Sequence, residues 1–236
     1  MPLLLSIDTA TEHASVCISD NEKVLAIEHS AEQNNHASFV QPAIKKILLS
    51  ACCKLTETDA VAVTAGPGSY TGLRIGLTTA KGICYALNKP LILINTLEVL
   101  AWASINERKI DIGKPDATLL FCPMIDARRM EVFTALYNHE LKILKEPEAI
   151  ILDEKSFAEE LKLQPIIFSG SGSQKYKSMV QHPNALYSSV IYHAGHLAYL
   201  AAHTFAKKDF ADIAYCEPLY LKEFFTPSNP KKNIPN

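Results

Sequence analysis

The stretch AVTAGPGSYTGLRIGLTTAKG, Ala62 to Gly82, gathers five glycines and several hydroxyls directly behind an apolar run. Two kinds of chemistry suit it. Gly66 and Gly68 flank Pro67, and such a loop can take positive φ, turn backbone N–H groups toward an anion and feed a helix N-terminus. The fit to known phosphate motifs is poor. A Walker loop needs Gly-Lys-Ser or Gly-Lys-Thr where this chain has Gly72-Leu73-Arg74, and the steps between Gly66, Gly68 and Gly72 do not make G-x-G-x-x-G. The second reading is geometric. Gly72, Gly76 and Ala80 recur every four residues and stack on one face of a helix. An interior glycine costs about 1 kcal/mol against alanine, a cost offset by close approach of a neighbouring backbone, either the chain's own or that of another molecule's helix.

Other residues invite chemistry. Asp8 ends an apolar run and is followed by Thr9 and Thr11, a set able to orient a cation and bond phosphate oxygens; the plainer role is a turn-capping aspartate. Arg128 and Arg129 beside Asp126 suit a carboxylate or phosphate, or an ion pair within the domain. Ser69 lacks the G-x-S-x-G elbow of a hydrolase. His193, His196 and His203 share one helical face. A seven-residue gap nevertheless spans ~10 Å of helix axis, whereas metal ligands converge at about 2.0–2.1 Å, so no metal site is expected.

These residues need elements to hold them. PLLLSIDTA, ASVCISD and KVLAIEHS predict a three-strand meander. From about Ala37 to Ala51, residues Phe39, Val40, Ala43, Ile44, Ile47 and Leu48 form an apolar helical stripe, with Pro42 in the first turns. A strand from Ala60 to Thr64 leads into the glycine segment and a helix from about Tyr70 to Leu87, stopped by Asn88 and Pro90. LILIN predicts a strand and TLEVLAWASINER a helix. The polar stretch Lys109–Asp116 predicts a domain boundary. Beyond it come a hairpin (TLLFCPMIDA, MEVFTALYN), a short helix opened by a Ser156/Glu159 capping box, the strand PIIFSGSGS, and a helix from Tyr192 to about Lys208. TPSNPKKNIPN predicts a mobile tail. The mixture argues α/β with a mixed sheet in each part, and no internal repeat is visible.

Size and composition bound the rest. The chain has 236 residues, 48% of them hydrophobic, enough to bury a large core. A net charge of −2 supplies no basic field for nucleic acid. No apolar span reaches the roughly 20 residues of a membrane helix, and MPLLLSIDTA has neither the positive charge nor the unbroken apolar run of a signal peptide. The six cysteines make no C-x-x-C pair, so free thiols in a reducing cytoplasm are expected.

SIDTAT, GPGSYTGLRIGL, DARRMEVF and EPLYLK together resemble the TsaB (YeaZ) family, in that order and across nearly the whole chain. The resemblance implies the actin-like ATPase (ASKHA, RNase H-like) fold: a first subdomain over 1–108, a reduced second one over 109–218 whose last helix packs back on the first, and a tail over 219–236. It implies a non-catalytic scaffold that binds and activates TsaD, works with TsaE and self-associates when alone. The complex forms N6-threonylcarbamoyladenosine at position 37 of tRNAs reading codons that begin with A, and the complex, not this chain alone, meets tRNA. TsaD-type enzymes hold a metal on a helical histidine pair; here His36 is followed four residues later by Val40. The partner surface it implies comprises His36, Phe39, Val40, Ala43, Ile44, Ile47, Tyr70, Gly72, Leu73, Gly76 and Ala80. Nucleotide contacts would fall on Asp8, Thr9 and Thr11, on Asp126, and on Gly170 and Gly172, with no cofactor of the chain's own and ATP or ADP at the interface of the complex. A small-molecule phosphotransferase of the same superfamily is the alternative.

Overall fold

The computed structural model describes residues 1–30, 35–107 and 118–221. Side chains along β1 (Leu3–Asp8) alternate between two buried faces, and this pattern sets the layering. Leu5 and Ile7 face one cluster and Leu4 faces another. β2 (Ser15–Asp20) and β3 (Lys23–His29) complete the antiparallel meander, and β4 (Ala60–Gly66) and β5 (Leu91–Asn95) add parallel strands on the other side of β1. The resulting order is β3-β2-β1-β4-β5.

The second sheet contains β6 (Leu120–Asp126), β7 (Glu131–Asn138), β8 (Ile143–Ile151), β9 (Ile166–Ser169) and β10 (Ala185–Tyr187), in the order β8-β7-β6-β9-β10. Counted from its own first strand, this is the same 3-2-1-4-5 order. The chain is therefore α/β with two mixed five-stranded sheets built on one strand order, a repeat that sequence inspection does not reveal.

Helices fill three of five layers, the two sheets being the others. α1 (His36–Ser50) and α2 (Tyr70–Leu87) cover the outer face of the first sheet through Val40, Ala43, Ile44, Ile47, Leu77 and Ala80. α3 (Thr96–Asn106) and α6 (Ala194–Lys207) lie between the sheets, in a core shared by Leu4, Ala62 and Ile92 of one sheet and Phe121, Ala135 and Ile167 of the other. Trp102 of α3 stacks on Tyr199 of α6 with ring centroids 4.0 Å apart. α4 (Ala158–Leu163) and α5 (Ser173–Met179) give the second sheet a much thinner outer cover.

Several expectations are corrected. β8, α5 and β10 have no counterpart in the sequence reading. The capping box at Ser156 does not form: its Oγ donates to Asp153 Oδ1 and accepts from Asp153 N, and α4 starts after Phe157 instead. The segment after α6 is tied down as far as it is described. Ala211 N donates to the Leu91 carbonyl, and Leu219 N to that of Ala65. The expected domain boundary at 109–116, and the tail beyond Leu221, lie outside the described residues. Among the described residues all six cysteines are free, and no helix is long and apolar enough to cross a membrane.

Candidate functional site

A cleft opens where the C-terminal ends of β1 and β6 approach each other. Its outer cavity, about 600 Å³, is bordered by Thr11, Glu12, Ser69, Tyr70, Asp126 and Arg128. An inner cavity of about 330 Å³ shares Thr11, Glu12, Ile125 and Ser171 with it and is bordered by Leu100, Gly170, Gln174 and the irregular run Ser188–Tyr192. Both sizes fall near or within the roughly 300–1,000 Å³ usual for small-molecule sites.

On the first-sheet wall the expected acid is sealed. Asp8 and Thr9 are fully buried. Asp8 Oδ1 accepts from Thr64 Oγ1 (2.8 Å), Ala10 N (3.2 Å) and Tyr192 Oη (3.4 Å), while Oδ2 is buried without a partner. Burial raises its carboxyl to about 6, against the lowering pull of those bonds. Burial, with Asp8 close by, raises the Tyr192 phenol well above its usual range. Thr9 Oγ1 donates to the Gly72 carbonyl at 2.7 Å. Only Thr11 of the expected trio borders the cleft. Asp8 and Thr9 are thus corrected from contacts to buried supports.

The glycine segment explains the sealing. A Cβ on Gly68 would lie 2.2 Å from the Ala10 carbonyl oxygen, one on Gly72 2.1 Å from that of Thr9, and one on Gly76 2.3 Å from Thr9 Oγ1. Ser69 N donates to the Ala10 carbonyl, Gly66 N to Thr96 Oγ1 and Gly72 N to Ser69 Oγ. The loop spends these N–H groups on the chain itself, and the small-residue stripe exists so that α2 can press onto the β1 loop.

The partner residues change place for the same reason. His36, Val40, Ala43, Ile44, Ile47, Gly72, Leu73, Gly76 and Ala80 are all buried inside the chain, and Phe39 and Tyr70 are half-buried. The most apolar stripe of an amphipathic helix faces its own sheet. His36 Nε2 donates to the Thr11 carbonyl at 2.8 Å, leaving Nδ1 buried and unpartnered; burial lowers its basicity. It is a core residue. What the two helices leave outside is a groove of about 410 Å³ lined by Gln41, Leu55, Thr78, Gly82, Ile83 and Ala86, with no atom within 4 Å of a Cβ on Gly82. On the same two helices Leu49 and Tyr85 are 70% and 84% exposed.

The second-sheet wall keeps its acid open. Asp126 is exposed and accepts from Lys175 Nζ and Arg128 N, at 2.8 and 2.6 Å. Arg128 and Arg129 both have positive φ, 74° and 48°, in the tight turn between β6 and β7. Gly170 has φ 86° and passes close to Leu100 and the Met124 carbonyl, where a side chain would not fit. Gly172 packs on Met124 and Val132 and does not border the cleft.

The sequence misses one cluster. Glu107, at the end of α3, meets His193 and His196 at the start of α6, their ligand-type atoms within 4.8 Å of one another. His203 stands apart, against the Tyr199 carbonyl. His193 Nδ1 accepts from Gly195 N and His196 Nδ1 from His193 N, which puts both ring protons on Nε2. His196 Nε2 then donates to Glu107 Oε1 at 2.8 Å. Burial, then His196 and His29, lowers His193 to about 4, and burial lowers His196. The trio is a satisfied helix cap, with no free imidazole lone pair facing Glu107. A contact spanning 89 residues leaves no local sequence signal.

Comparison with known proteins agrees with this geometry. The family model described as "TsaD: tRNA N6-adenosine threonylcarbamoyltransferase" matches residues 29–223. The chain is 30% identical over 182 residues to the tRNA threonylcarbamoyladenosine biosynthesis protein TsaB of Bacillus subtilis, covering 75% of each chain. It is 27% identical to the protein of the same name from Escherichia coli, over 93% of this chain and 94% of that one. The solved structure of YeaZ from Pseudomonas aeruginosa aligns with a TM-score of 0.76 at 26% identity, over 94% of this chain and 100% of that one.

Proposed function

The chain belongs to the TsaB (YeaZ) family, and from that premise we propose that it is the non-catalytic scaffold of an assembly that forms N6-threonylcarbamoyladenosine at position 37 of tRNAs reading A-starting codons. It binds and activates TsaD. The observation that carries this reading is the α1–α2 groove. It opens on the outer side of the two helices, has open space at Gly82, and belongs to helices that also carry the exposed Leu49 and Tyr85. Such a surface seldom stays solvated. In the absence of TsaD it pairs with a second copy of itself. The burial of Asp8 and Thr9 counts against a phosphotransferase, because an acid with no exposure reaches neither a cation nor a phosphate. TsaE joins the assembly, ATP or ADP sits where the subunits meet, and tRNA is held by the complex, in keeping with a net charge of −2 here.

Mixing the chain with TsaD from the same source tests this on gel filtration. A heterodimer is expected; its absence at micromolar concentrations overturns the reading. Gly82→Leu fills the groove from its open side, so it should abolish the heterodimer without lowering the melting temperature.

A further inference from the structure

Beyond α6 the chain doubles back across the first sheet as a strap. Ala211 pairs with Leu91, at the start of β5, in an antiparallel bridge. Lys81 Nζ of α2 then donates to the Cys216 carbonyl at 3.0 Å. Leu219 N donates to the Ala65 carbonyl at 2.7 Å, near the far end of β4, and a Cβ on Gly66 would lie 2.6 Å from the Leu219 carbonyl oxygen. Because β1, β4 and β5 are parallel, the strap runs from the N-terminal to the C-terminal edge of the sheet, the edge where the cleft opens. Tyr220 arrives there. Its ring centroid lies 5.2 Å from that of Tyr70, and its hydroxyl accepts from Arg74 Nε at 3.1 Å. Tyr70 itself borders the outer cavity of about 600 Å³.

The described residues end at Leu221, so the strap delivers the next part of the sequence to the rim of that cavity. Lys222, Glu223, Phe224 and Phe225 come first, and Lys231 and Lys232 follow. We propose that Phe224 and Phe225 seat in the outer cavity of their own chain, as an internal occupant that any other ligand of the cavity must displace. Reach permits it. Phe224 is four residues beyond Tyr220, and four extended residues span ~13 Å. The surfaces match, since Tyr70, Ile125 and Phe133 border the cavity and phenylalanine rings bury about 150–250 Å² each when covered. Charge agrees as well. Glu12 and Asp126 outnumber Arg128 on the cavity wall, whereas residues 222–236 carry three lysines against one glutamate. A short tether holds its end at an effective concentration on the order of millimolar, which favours the chain's own segment over that of a second copy. This goes beyond the scaffold reading, and neither depends on the other.

Fluorescence anisotropy with a labelled peptide of residues 222–236 and the full chain tests it. Wild type should capture the peptide at least about tenfold more weakly than the Phe224→Ser/Phe225→Ser double variant, because the tethered segment competes for the cavity. Thr71 is exposed and borders the cavity, so Thr71→Trp added to the double variant should fill the space and abolish capture, with the fold checked by circular dichroism. Glu12→Lys in the same background should weaken capture severalfold. Equal capture by wild type and the double variant overturns the proposal. So does silence from both at millimolar peptide, undiminished capture of a peptide with both phenylalanines replaced by serine, or capture that survives Thr71→Trp. A wild type that resists the peptide only at concentrations where sedimentation shows a dimer would put a second copy's segment in the cavity and overturn the assignment to the same chain. Each measurement is made without TsaD, so its failure leaves the heterodimer test untouched.

Discussion

The two sheets share one strand order, yet they treat the acid at the end of their first strand in opposite ways. Asp8, at the end of β1, is fully buried under Tyr192, whereas Asp126, at the end of β6, is exposed and paired with Lys175. The helices on the outer faces differ in the same sense. The first sheet carries α1 and α2, of 15 and 18 residues, and the second α4 and α5, of 6 and 7. A long α2 can press its glycines onto the β1 loop and close it, while its opposite face remains free for a groove. A one- or two-turn helix does neither. The two halves therefore share their layering and differ in finish, one with its strand-end acid sealed under a long helix and the other with its acid on the open wall of a cleft.

Glycines on α2 give the sharpest way to break this comparison. Gly72→Ala should destabilise the chain by about 3 kcal/mol or more, because the new methyl meets a backbone carbonyl at 2.1 Å that cannot move without β1. Gly82→Ala, three turns on, meets nothing and should stabilise by up to about 1 kcal/mol from helix propensity alone. Urea unfolding of both variants measures the contrast. Equal effects would mean that the two faces of α2 are not divided between core and groove.

Legibility followed the same division. The first half was readable because its strands are compact apolar runs and its helices are long enough to show their period, so that β4, α2 and β5 emerge within a residue or two of their observed bounds. β8 was not, since its sequence ILKEPEAII is largely exposed, carries Pro147 and sits at a sheet edge. α5 buries just Ser173 and Tyr176, too few to show a period. At the site, Arg128 and Asp126 could be found from residue type. The sealing of Asp8 could not, because Tyr192 lies 184 residues away. The inward turn of Gly72 and Gly76 was equally hidden: a stripe of small residues announces close approach without saying whose backbone approaches.

Titration separates the buried acid from the rest of the chain. The folded protein holds the Asp8 proton up to about 6, whereas an unfolded aspartate releases it near 3.8. The folded state thus binds more protons between these values, so this residue makes stability fall as pH rises from 4 to 6, by up to about 3 kcal/mol. Stability measured in urea against pH should show that Asp8→Asn gains relative to wild type across this window and stays ahead above it. An unchanged difference at pH 4 and pH 7 would sink the buried-acid account.

His193 works in the opposite direction over the same range. Its folded form stays neutral down to about 4, against an unfolded value of 6.5, so the unfolded chain binds more protons and stability rises with pH between them. In wild type the two slopes partly cancel. His193→Asn keeps an oxygen acceptor for Gly195 N at the start of α6 and removes the titration. The variant should therefore show the Asp8 slope more steeply than wild type does.

The smallest effect belongs to the open acid, and it tests the comparison from its other side. Lys175→Met removes the ion pair to Asp126 at 2.8 Å, in which the carboxylate is nearly half exposed. Water and salt screen such a pair, so the loss should stay below about 1 kcal/mol and shrink further in high salt. The lysine also donates to the Glu131 carbonyl at 3.1 Å and thereby braces the turn that holds Arg128. A stability loss as large as that expected for Gly72→Ala would instead mean that the second-sheet acid is as structural as the first, and the division between sealed and open walls would not hold.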